Sequence, residues 1–564
     1  MFIYPSLISA DDYSPHNISD SLRNDAYSVI RNCSMTLIQS DVNNATLEVT
    51  KVITVLSKQG DDHAIFGIYE DKFQEFKKFS GKIIDPNGKV VKKIRQNDLM
   101  STSLSPSTIN MDGRSYFYQP QSPVYPYTVE YSYQIQYKNG IRGYYPVDPY
   151  DNYYQSVEKY DYTLNLPSNI ELRHKSNCDI PVKKENAGDR QTFLFSLREL
   201  KAVPHEILSP GAGEIQPRIL LAPSDFCYDS HCGNMSDWNN YGLWSAGLLE
   251  DRDILPPDAV QHLQDITKGS IGNKEKVKIV YQYLQQHFSY VNIALGIGGY
   301  QPIDAASTYK TRFGDCKGLT NVMKAMLKAV DIPSYYTLIS MDEKDIYKDY
   351  PGFNQLNHVI LMVPVENDSI WLECTSPIIP FGYLHDEIAG HNAIIIHEDG
   401  KGGEYCTLPS YSEEQNKSET FMTVDISEDG KAKGVIKVSE NLHFYGSFAS
   451  TFTSKDRDKH IKYLNINTNM PKVKYGNIAI SENKSDLPSC SMTTDFEAED
   501  FANKTGSRLF IPLCPLKNSN FNLPANENRL YDIIINDGYF MTDSIIYNIH
   551  DKYMKESLPK NINL

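Results

Sequence analysis

The sequence predicts an α+β protein in which a helix-containing core lies between two β-rich regions. Three observations indicate this order. Apolar and polar residues alternate up to about residue 205, helical spacing follows between about residues 256 and 330, and alternation returns beyond about residue 401. A helix pair followed by a run of strands is typical of α+β order and not of an alternating β-α-β chain.

Length and charge exclude several classes of protein. The chain has 564 residues, which predicts three or four domains at roughly 100–200 residues per domain. Lys and Arg total 55 against 71 Asp and Glu, a net charge of −16, which argues against a nucleic-acid binder because phosphate backbones are held by clustered Lys and Arg. No apolar run approaches the ~18–20 residues that span a bilayer, so the sequence excludes an integral membrane protein.

We expect four segments along the chain. Residues 1–23 form an N-terminal segment, 24–205 an antiparallel β-sandwich-type domain, 206–400 the core, and 401–564 a C-terminal β-rich domain. Residues 1–10 are short and apolar and end in Ser9-Ala10 before two aspartates, so they fit either the tail of a secretory signal or an ordinary frayed terminus.

The N-terminal region carries the clearest strand and turn patterns. Strands are predicted over 45–56 and over Tyr127–Tyr137, which alternates for eleven residues. Asp85-Pro-Asn-Gly88 and Asn139-Gly140 both have turn chemistry and predict hairpins. Tyrosines concentrate between Tyr116 and Tyr154; they either cover one face of a sheet or form a platform that stacks on sugars or peptides.

Two amphipathic helices are predicted in the core, followed by strands. The first helix starts near Asn273, after an earlier helix start at Pro256-Pro257, and the second carries a stripe from Leu319 to Val330 that indicates core packing. Strands are predicted at 335–339, 358–365, 369–374 and 393–397, and a further hairpin around Asp429-Gly430.

Cys316 lies where a loop becomes the second helix. Asp315 is a good N-cap residue, which places Cys316 in the first turn, where backbone N–H groups are free and the helix dipole is positive. This environment stabilises a thiolate, most of all when a His is near, and the same N–H groups can bind an oxyanion. A lone Cys is usually a small buried hydrophobe, so the hypothesis depends on partners elsewhere in the chain.

Two such partners follow within 58 residues. His358 starts a predicted strand, and Glu373 lies in the next strand, across a polar turn at Asn367-Asp-Ser. The two strands are expected to pair, so His358 and Glu373 are candidates for cross-strand neighbours. A carboxylate on one ring nitrogen would fix the tautomer of the imidazole and stabilise its charged form.

These motifs resemble those of a known superfamily. Gly-Asp-Cys-Lys at 314–317, Asn-His-Val at 357–359 and Trp-Leu-Glu-Cys-Thr at 371–375 resemble the core motifs of bacterial transglutaminase-like proteins, as does Gly-Gly-Tyr-Gln-Pro at 298–302. The resemblance implies a papain-like α+β core between a β domain and a second small β domain. By motif, it implies that Cys316 is the nucleophile, His358 the base and Glu373 the orienting acid, where the superfamily usually has Asp.

Other candidates carry weaker signals. Gln301 is a candidate oxyanion donor, because papain-like sites pair a side-chain amide with the Cys backbone N–H; the alternative is a loop Gln that bonds backbone. Asp315 is explained by capping, Asn357 by loop structure, and Cys374 is expected to be packed away from the site. Cys227 and Cys232 lack a second ligand pair with zinc-like spacing, so they indicate a disulfide or free thiols.

The predicted reaction is acyl transfer through a Cys316 thioester, with no cofactor and no metal. The expected substrate is a peptide or protein, including cell-envelope peptides, and we favour water over an amine as acceptor because water is the default. The competing hypotheses are a transglutaminase, and a non-catalytic envelope binding protein whose core is a vestigial enzyme. A periplasmic or cell-surface position fits the signal-like segment and the resemblance, while a cytoplasmic position fits the odd count of nine cysteines.

Overall fold

The structure is a computed structural model that describes residues 13–103, 113–122, 124–293, 296–366, 368–517, 528–558 and 560. Residues 1–10, interpreted as a possible signal remnant, lie outside the described residues. So does Asn367, the first residue of the predicted turn between the strands that carry His358 and Glu373.

The N-terminal region contains an eight-stranded sheet and a three-stranded sheet that share one apolar core. A short helix, α1 (Asp20–Arg23), precedes them. The strands of this region are β1 (Ser28–Gln39), β2 (Ala45–Val55), β3 (Phe66–Glu70), β4 (Gln74–Ile84), β5 (Val90–Arg95), β6 (Met100–Ser103), β7 (Arg114–Tyr118), β8 (Tyr127–Tyr137), β9 (Gln155–Pro167), β10 (Leu172–Ser176), β11 (Val182–Ala187) and β12 (Arg190–Leu200).

The larger sheet has the order β11-β12-β9-β1-β2-β8-β4-β5, and its pairs are antiparallel except for β1 with β9. The three-stranded sheet has the order β3-β7-β6. The predicted strands at 45–56 and Tyr127–Tyr137 are confirmed, and so is the hairpin at 85–88, which joins β4 to β5.

The hairpin predicted at Asn139-Gly140 is wrong. Both residues adopt positive φ, 60° and 128°, so the local turn chemistry is right. However, β8 pairs with β2 and β4, while the next strand, β9, pairs with β1 and β12. The turn instead brings the chain against the core. A Cβ on Gly140 would lie 2.2 Å from the carbonyl oxygen of Cys227.

The core combines helices with an antiparallel five-stranded sheet of order β20-β19-β18-β21-β22. Its helices are α2 (Ala212–Ile215), α3 (Trp238–Leu249), α4 (Pro257–Thr267), α5 (Gly272–His287), α6 (Ala305–Thr311) and α7 (Cys316–Lys328). The strands of this region are β13 (Ile219–Pro223), β14 (Asp225–Tyr228), β15 (His231–Asn234), β16 (Ser289–Tyr290), β17 (Phe313–Gly314), β18 (Tyr335–Ile339), β19 (His358–Val365), β20 (Asp368–Leu372), β21 (Asn392–His397) and β22 (Gly402–Thr407).

Helix α7 fixes the position of Cys316 relative to the sheet. Its apolar stripe from Leu319 to Val330 is buried against α5 and β19, as the helical spacing predicts. Burial of each Leu, Val or Met side chain contributes about 1.5–3 kcal/mol, so the stripe holds the helix firmly on the sheet. The N-terminal end of α7 therefore has a fixed relation to the start of β19.

The C-terminal region is a five-stranded sheet of order β25-β26-β24-β23-β29, with two helices against it. Its elements are β23 (Lys417–Ile426), β24 (Ala432–Asn441), α8 (Tyr445–Phe452), α9 (Arg457–Asn467), β25 (Val473–Asn483), β26 (Ser489–Ala498), β27 (Asn503–Thr505), β28 (Arg508–Phe510) and β29 (Phe540–Ile549). The hairpin around Asp429-Gly430 is confirmed. The two helices were not predicted, although Tyr445, Phe448 and Phe452 bury one helical face.

The α+β class with β regions on both sides of the core is thus confirmed. The predicted boundaries at residues 205 and 400 stay predictions; the core sheet itself continues to Thr407 in β22. Among the residues described here, no helix is both long enough and apolar enough to cross a membrane.

Candidate active site

Cys316 is the first residue of α7 and is a half-buried free thiol. Asp315 caps the helix, because its Oδ1 accepts a hydrogen bond of 2.9 Å from the backbone N–H of Gly318. The N–H groups of Cys316 and Lys317 precede the first intrahelical bond, which Leu319 donates to Asp315. The thiol therefore lies beside unpaired helix N–H groups at the positive end of the helix dipole.

His358 and Glu373 form a buried pair next to this helix start. Nε2 of His358 lies 2.7 Å from Oε2 of Glu373. The register that pairs Leu361 with Leu372 puts Glu373, one residue beyond the ladder, on the same sheet face as His358. Cys316 and His358 line the same cavity, and since Nε2 faces Glu373, Nδ1 is the ring nitrogen left for the thiol.

The surroundings favour the charged forms of both His358 and Glu373. Burial lowers the pKa of His358, but hydrogen bonds to Cys316 and Glu373 outweigh burial and raise that pKa from 6.5 to about 10. Burial raises the pKa of Glu373, but the hydrogen bond with His358 and the nearby ring of His385 hold it well below its usual range. At neutral pH the pair is an imidazolium and a carboxylate.

Glu373 has three further polar contacts that sequence reasoning did not find. The N–H and hydroxyl of Thr375 donate to Oε1 at 2.8 and 2.5 Å. Nε2 of His385, a buried residue, lies 3.6 Å from Oε2. Every oxygen of the carboxylate is thus bound, which fixes the orientation that Glu373 presents to His358. Thr375 follows Glu373 in the motif, but no local pattern in the sequence points to His385.

A cavity of about 80 Å³ lies beside Cys316 and His358. Its lining includes Trp244, Gly299, Tyr300, Lys317, Tyr336 and Asn357. The indole N–H of Trp244 and the hydroxyl of Tyr336 are buried, and neither has a hydrogen-bond partner among the described residues. Two unpaired donors thus belong to residues that line the cavity beside Cys316.

Lys317 adds a buried positive group to the cavity. Its ammonium forms an ion pair with Asp315, and both side chains are buried. The sequence predicts only a capping role for Asp315, but the ion pair gives it a second role. It also holds the lysine next to Cys316.

The remaining candidates lie near the site in different roles. Gln301 does not line the Cys316 cavity; its Oε1 accepts from Arg252 at 3.0 Å, and its role as an oxyanion donor stays a prediction. Asn357 lines the cavity and ties the loop at 341–342, through Met341 and Asp342. Cys374 is buried as expected, and burial raises its pKa well above 9.0.

Cys227 and Cys232 form a disulfide between β14 and β15, in which the two residues are direct cross-strand neighbours. Within the described part of the chain, no group of three or more His, Cys, Asp or Glu residues is arranged to hold a metal ion.

Comparisons with known proteins agree with this architecture. Residues 42–204 match DUF3857, a domain of unknown function with a solved structure, and residues 261–376 match the transglutaminase-like superfamily. No curated protein sequence matches the chain.

Solved structures give further likenesses. A putative protease from Parabacteroides distasonis is 13% identical with a TM-score of 0.55, and the match covers 86% of this chain and 94% of that one. A putative cysteine protease from Cytophaga hutchinsonii is 8% identical with a TM-score of 0.18, over 60% of this chain and 78% of that one. The first likeness shows a shared fold across most of the chain. The core that holds Cys316, His358 and Glu373 is a domain of the transglutaminase-like superfamily, behind an N-terminal DUF3857 domain.

Proposed function

We propose that the chain hydrolyses peptide-like amides through a thioester on Cys316. One observation carries the proposal: a half-buried thiol at a capped helix start shares a cavity with an imidazole, and Nε2 of that ring lies 2.7 Å from a buried carboxylate. Such an arrangement meets the requirement for a nucleophile, a base and an orienting group in contact. Cys316 is the nucleophile, His358 the acid and base, and Glu373 the orienting acid.

The charge on His358 supports a thiolate at neutral pH. With a pKa of about 10, the imidazole carries its proton at pH 7, and a positive ring beside Cys316 stabilises the negative sulfur. The positive end of the helix dipole acts in the same direction. We propose an ion pair between this ring and the sulfur as the reactive form of the site.

Acylation then follows from the positions of these groups. The sulfur attacks the amide carbon, the C–S bond forms, and the carbonyl electron pair moves to oxygen. His358 gives the Nδ1 proton to the amide nitrogen, the C–N bond breaks, and the amine leaves. The backbone N–H of Cys316 and the free donors of Trp244 and Tyr336 are the groups that stabilise the oxyanion, with Gln301 as a further candidate.

Deacylation returns the site to its resting charges. Nδ1 of His358 takes a proton from water, and the water oxygen attacks the thioester carbon. When the C–S bond breaks, the sulfur leaves as a thiolate, and the charged ring is again its partner. The net reaction converts an amide and water into a carboxylic acid and an amine.

Two further observations support a peptide substrate and a location outside the cytoplasm. The chain shares its fold with a putative protease over most of its length. The Cys227–Cys232 disulfide favours an oxidising compartment such as the periplasm or cell surface, because cytosolic thiols are kept reduced. A cell-envelope peptide or protein is the proposed substrate.

Reaction in H₂¹⁸O with a mixed peptide pool and dansylcadaverine tests the acceptor. We expect new carboxyl termini that carry ¹⁸O in the wild type and in Cys374→Ala, and none in Cys316→Ala. Peptides that carry dansylcadaverine in place of ¹⁸O would instead identify a transglutaminase. If no product forms and Cys316 alkylates no faster than the other thiols at pH 6, the core is a vestigial enzyme and the protein a binder.

A further inference from the structure

A second, larger cavity lies between the N-terminal β region and the core. It has a volume of about 330 Å³ and meets the Cys316 cavity at Tyr300, which lines both. Its walls come from the turn region after β8, from β13 and from the loop at 350–354. The lining includes Tyr137, Arg142, Tyr144, Tyr300, Tyr350 and Phe353.

Arg142 is the cationic side chain of this cavity. Its guanidinium lies over the rings of Tyr228 and Tyr300, 4.9 and 5.4 Å from their centroids, and it donates a hydrogen bond to the Tyr300 hydroxyl. Two aromatic faces thus hold the planar group in one orientation, which lowers the entropy that it would lose on binding a ligand.

The guanidinium has N–H donors that no described residue accepts. It has five N–H donors, and no carboxylate among the described residues forms an ion pair with it. The acidic neighbour that acts on its charge, Asp71, uses Oδ1 to accept the N–H groups of Phe73 and Gln74. In a chain with net charge −16, an arginine without a carboxylate partner at a cavity wall is a site for an external anion.

The rest of the lining fits a ligand that has an apolar body and a polar end. Tyr144, Tyr350 and Phe353 are buried and give aromatic walls. The Tyr350 hydroxyl is buried without a hydrogen-bond partner among the described residues. Arg binds carboxylates with two parallel hydrogen bonds. The aromatic walls beside Arg142 would contact the apolar part of such a ligand.

We propose that this cavity binds a carboxylate of the peptide substrate, with Arg142 as the residue that selects it. The inference rests on the proposed function, since it names the substrate class for the Cys316 site. A peptide whose carboxylate reaches Arg142 would contact Tyr300, the residue that also lines the cavity beside Cys316. The turn at Asn139-Gly140, which closes no hairpin, is the element that brings Arg142 to this place.

The experiment compares three affinity labels on the full chain. Each carries an N-terminal iodoacetyl group, whose CH₂ carbon bonds to sulfur as iodide leaves. The probes are iodoacetyl-Phe-Glu-amide, iodoacetyl-Phe-Gln-amide and iodoacetyl-Phe-Gln with a free carboxyl terminus. Second-order rates of Cys316 alkylation are measured by peptide mapping. The first and third probes distinguish a side-chain carboxylate from a terminal one.

We expect one or both acidic probes to react at least tenfold faster than the neutral probe, the effect of one charge-assisted contact. In Arg142→Met this preference falls to about onefold, and Arg142→Lys keeps part of it. Arg95→Met, on the exposed end of β5, is the matched control and keeps the full preference.

The wild-type ratio decides the proposal even if Arg142→Met fails to fold. Fast alkylation with equal rates for all three probes would overturn the carboxylate site and leave the nucleophile intact. Slow alkylation of Cys316 that is still acid-selective would remove the proposed hydrolase and keep the site. A preference that persists in folded Arg142→Met would also overturn the role of Arg142.

Discussion

Two cysteines of the same core lie in opposite environments. Cys316 begins α7, is half-buried, and lines a cavity together with His358. Cys374 follows β20, is buried with 5% of its surface exposed, and its thiol lies 3.7 Å from the carbonyl oxygen of Leu372. Burial raises the pKa of Cys374 well above 9.0, so that thiol stays neutral.

Glu373 is close to both cysteines, yet its effect on them differs. Cys374 is next to it in the chain and experiences its negative charge directly, which raises the thiol pKa further. Near Cys316, the same carboxylate keeps the ring of His358 positive. The same acid therefore suppresses one thiolate and supports the other. The element that carries each sulfur, and not the residue type, determines its chemistry.

Exchange of Cys316 for Ala has the largest expected effect. We expect turnover of peptide amides to fall by at least 10³-fold, because the covalent step is lost, while Cys374→Ala keeps the wild-type rate. The measurement is kcat/KM on a peptide that the wild type cleaves. Equal rates in the wild type and Cys316→Ala would contradict the proposed nucleophile.

Glu373→Gln tests the acid whose charge affects the two thiols in opposite ways. The amide keeps the shape but removes the charge, so His358 loses its proton at lower pH, and we expect kcat to fall by about 10²–10⁴-fold. The pH–rate profile should shift as well as drop. Glu373→Asp, which has the side chain usual for the superfamily, is the control and should keep most activity; loss as severe as in Glu373→Gln would count against a purely charge-based role.

The buried ion pair also predicts a pH dependence of stability. The pKa of His358 is raised when folded, to about 10, so its stabilisation is full below 6.5 and is lost as pH rises from 6.5 to 10. The pKa of Glu373 is lowered when folded, so its contribution is present above its unfolded value of 4.5 and is lost as pH falls below it.

The double variant His358→Gln, Glu373→Gln removes both groups and is the reference. We expect the free energy of unfolding of the wild type, measured with urea, to fall by a few kcal/mol more than that of the double variant between pH 6.5 and 10. Parallel curves would mean that the pair is not charged in the folded state.

Cys374→Ala has the smallest expected effect, and it acts on stability alone. Removal of a buried sulfur leaves a small cavity, which costs about 1–2 kcal/mol. Urea unfolding measures this loss, and the rate of Cys316 alkylation at pH 6 serves as the control readout. A change in that rate would show that Cys374 influences the site.

Local patterns in the sequence predicted most of the residues of the candidate site. Cys316, His358 and Glu373 lie at the ends of elements whose type follows from spacing and capping, so their convergence could be predicted from two strands and one helix. Trp244 and His385 were missed because α3 and the segment after β20 reach the site only through tertiary packing. No sequence spacing records such contacts.

The turn at Asn139-Gly140 and helix α8 show two further limits. A turn was correctly predicted at Asn139. Which strand pairs with the next one depends on the whole sheet, however, and β9 pairs with β1 and not with β8. In α8 the stripe of Tyr445, Phe448 and Phe452 is aromatic, which also suits a strand, so propensity alone favoured the wrong element.

Ultraviolet absorbance of the thiolate near 240 nm tests the central claim most directly. The difference spectrum between the wild type and Cys316→Ser, recorded from pH 4 to pH 10, reports the charge of this sulfur alone. We expect the thiolate band to be fully present at pH 6 and to be lost at pH 6 when His358→Ala is introduced in both proteins. A band that arises only above pH 8 in the wild type would contradict the ion pair on which the proposed reaction depends.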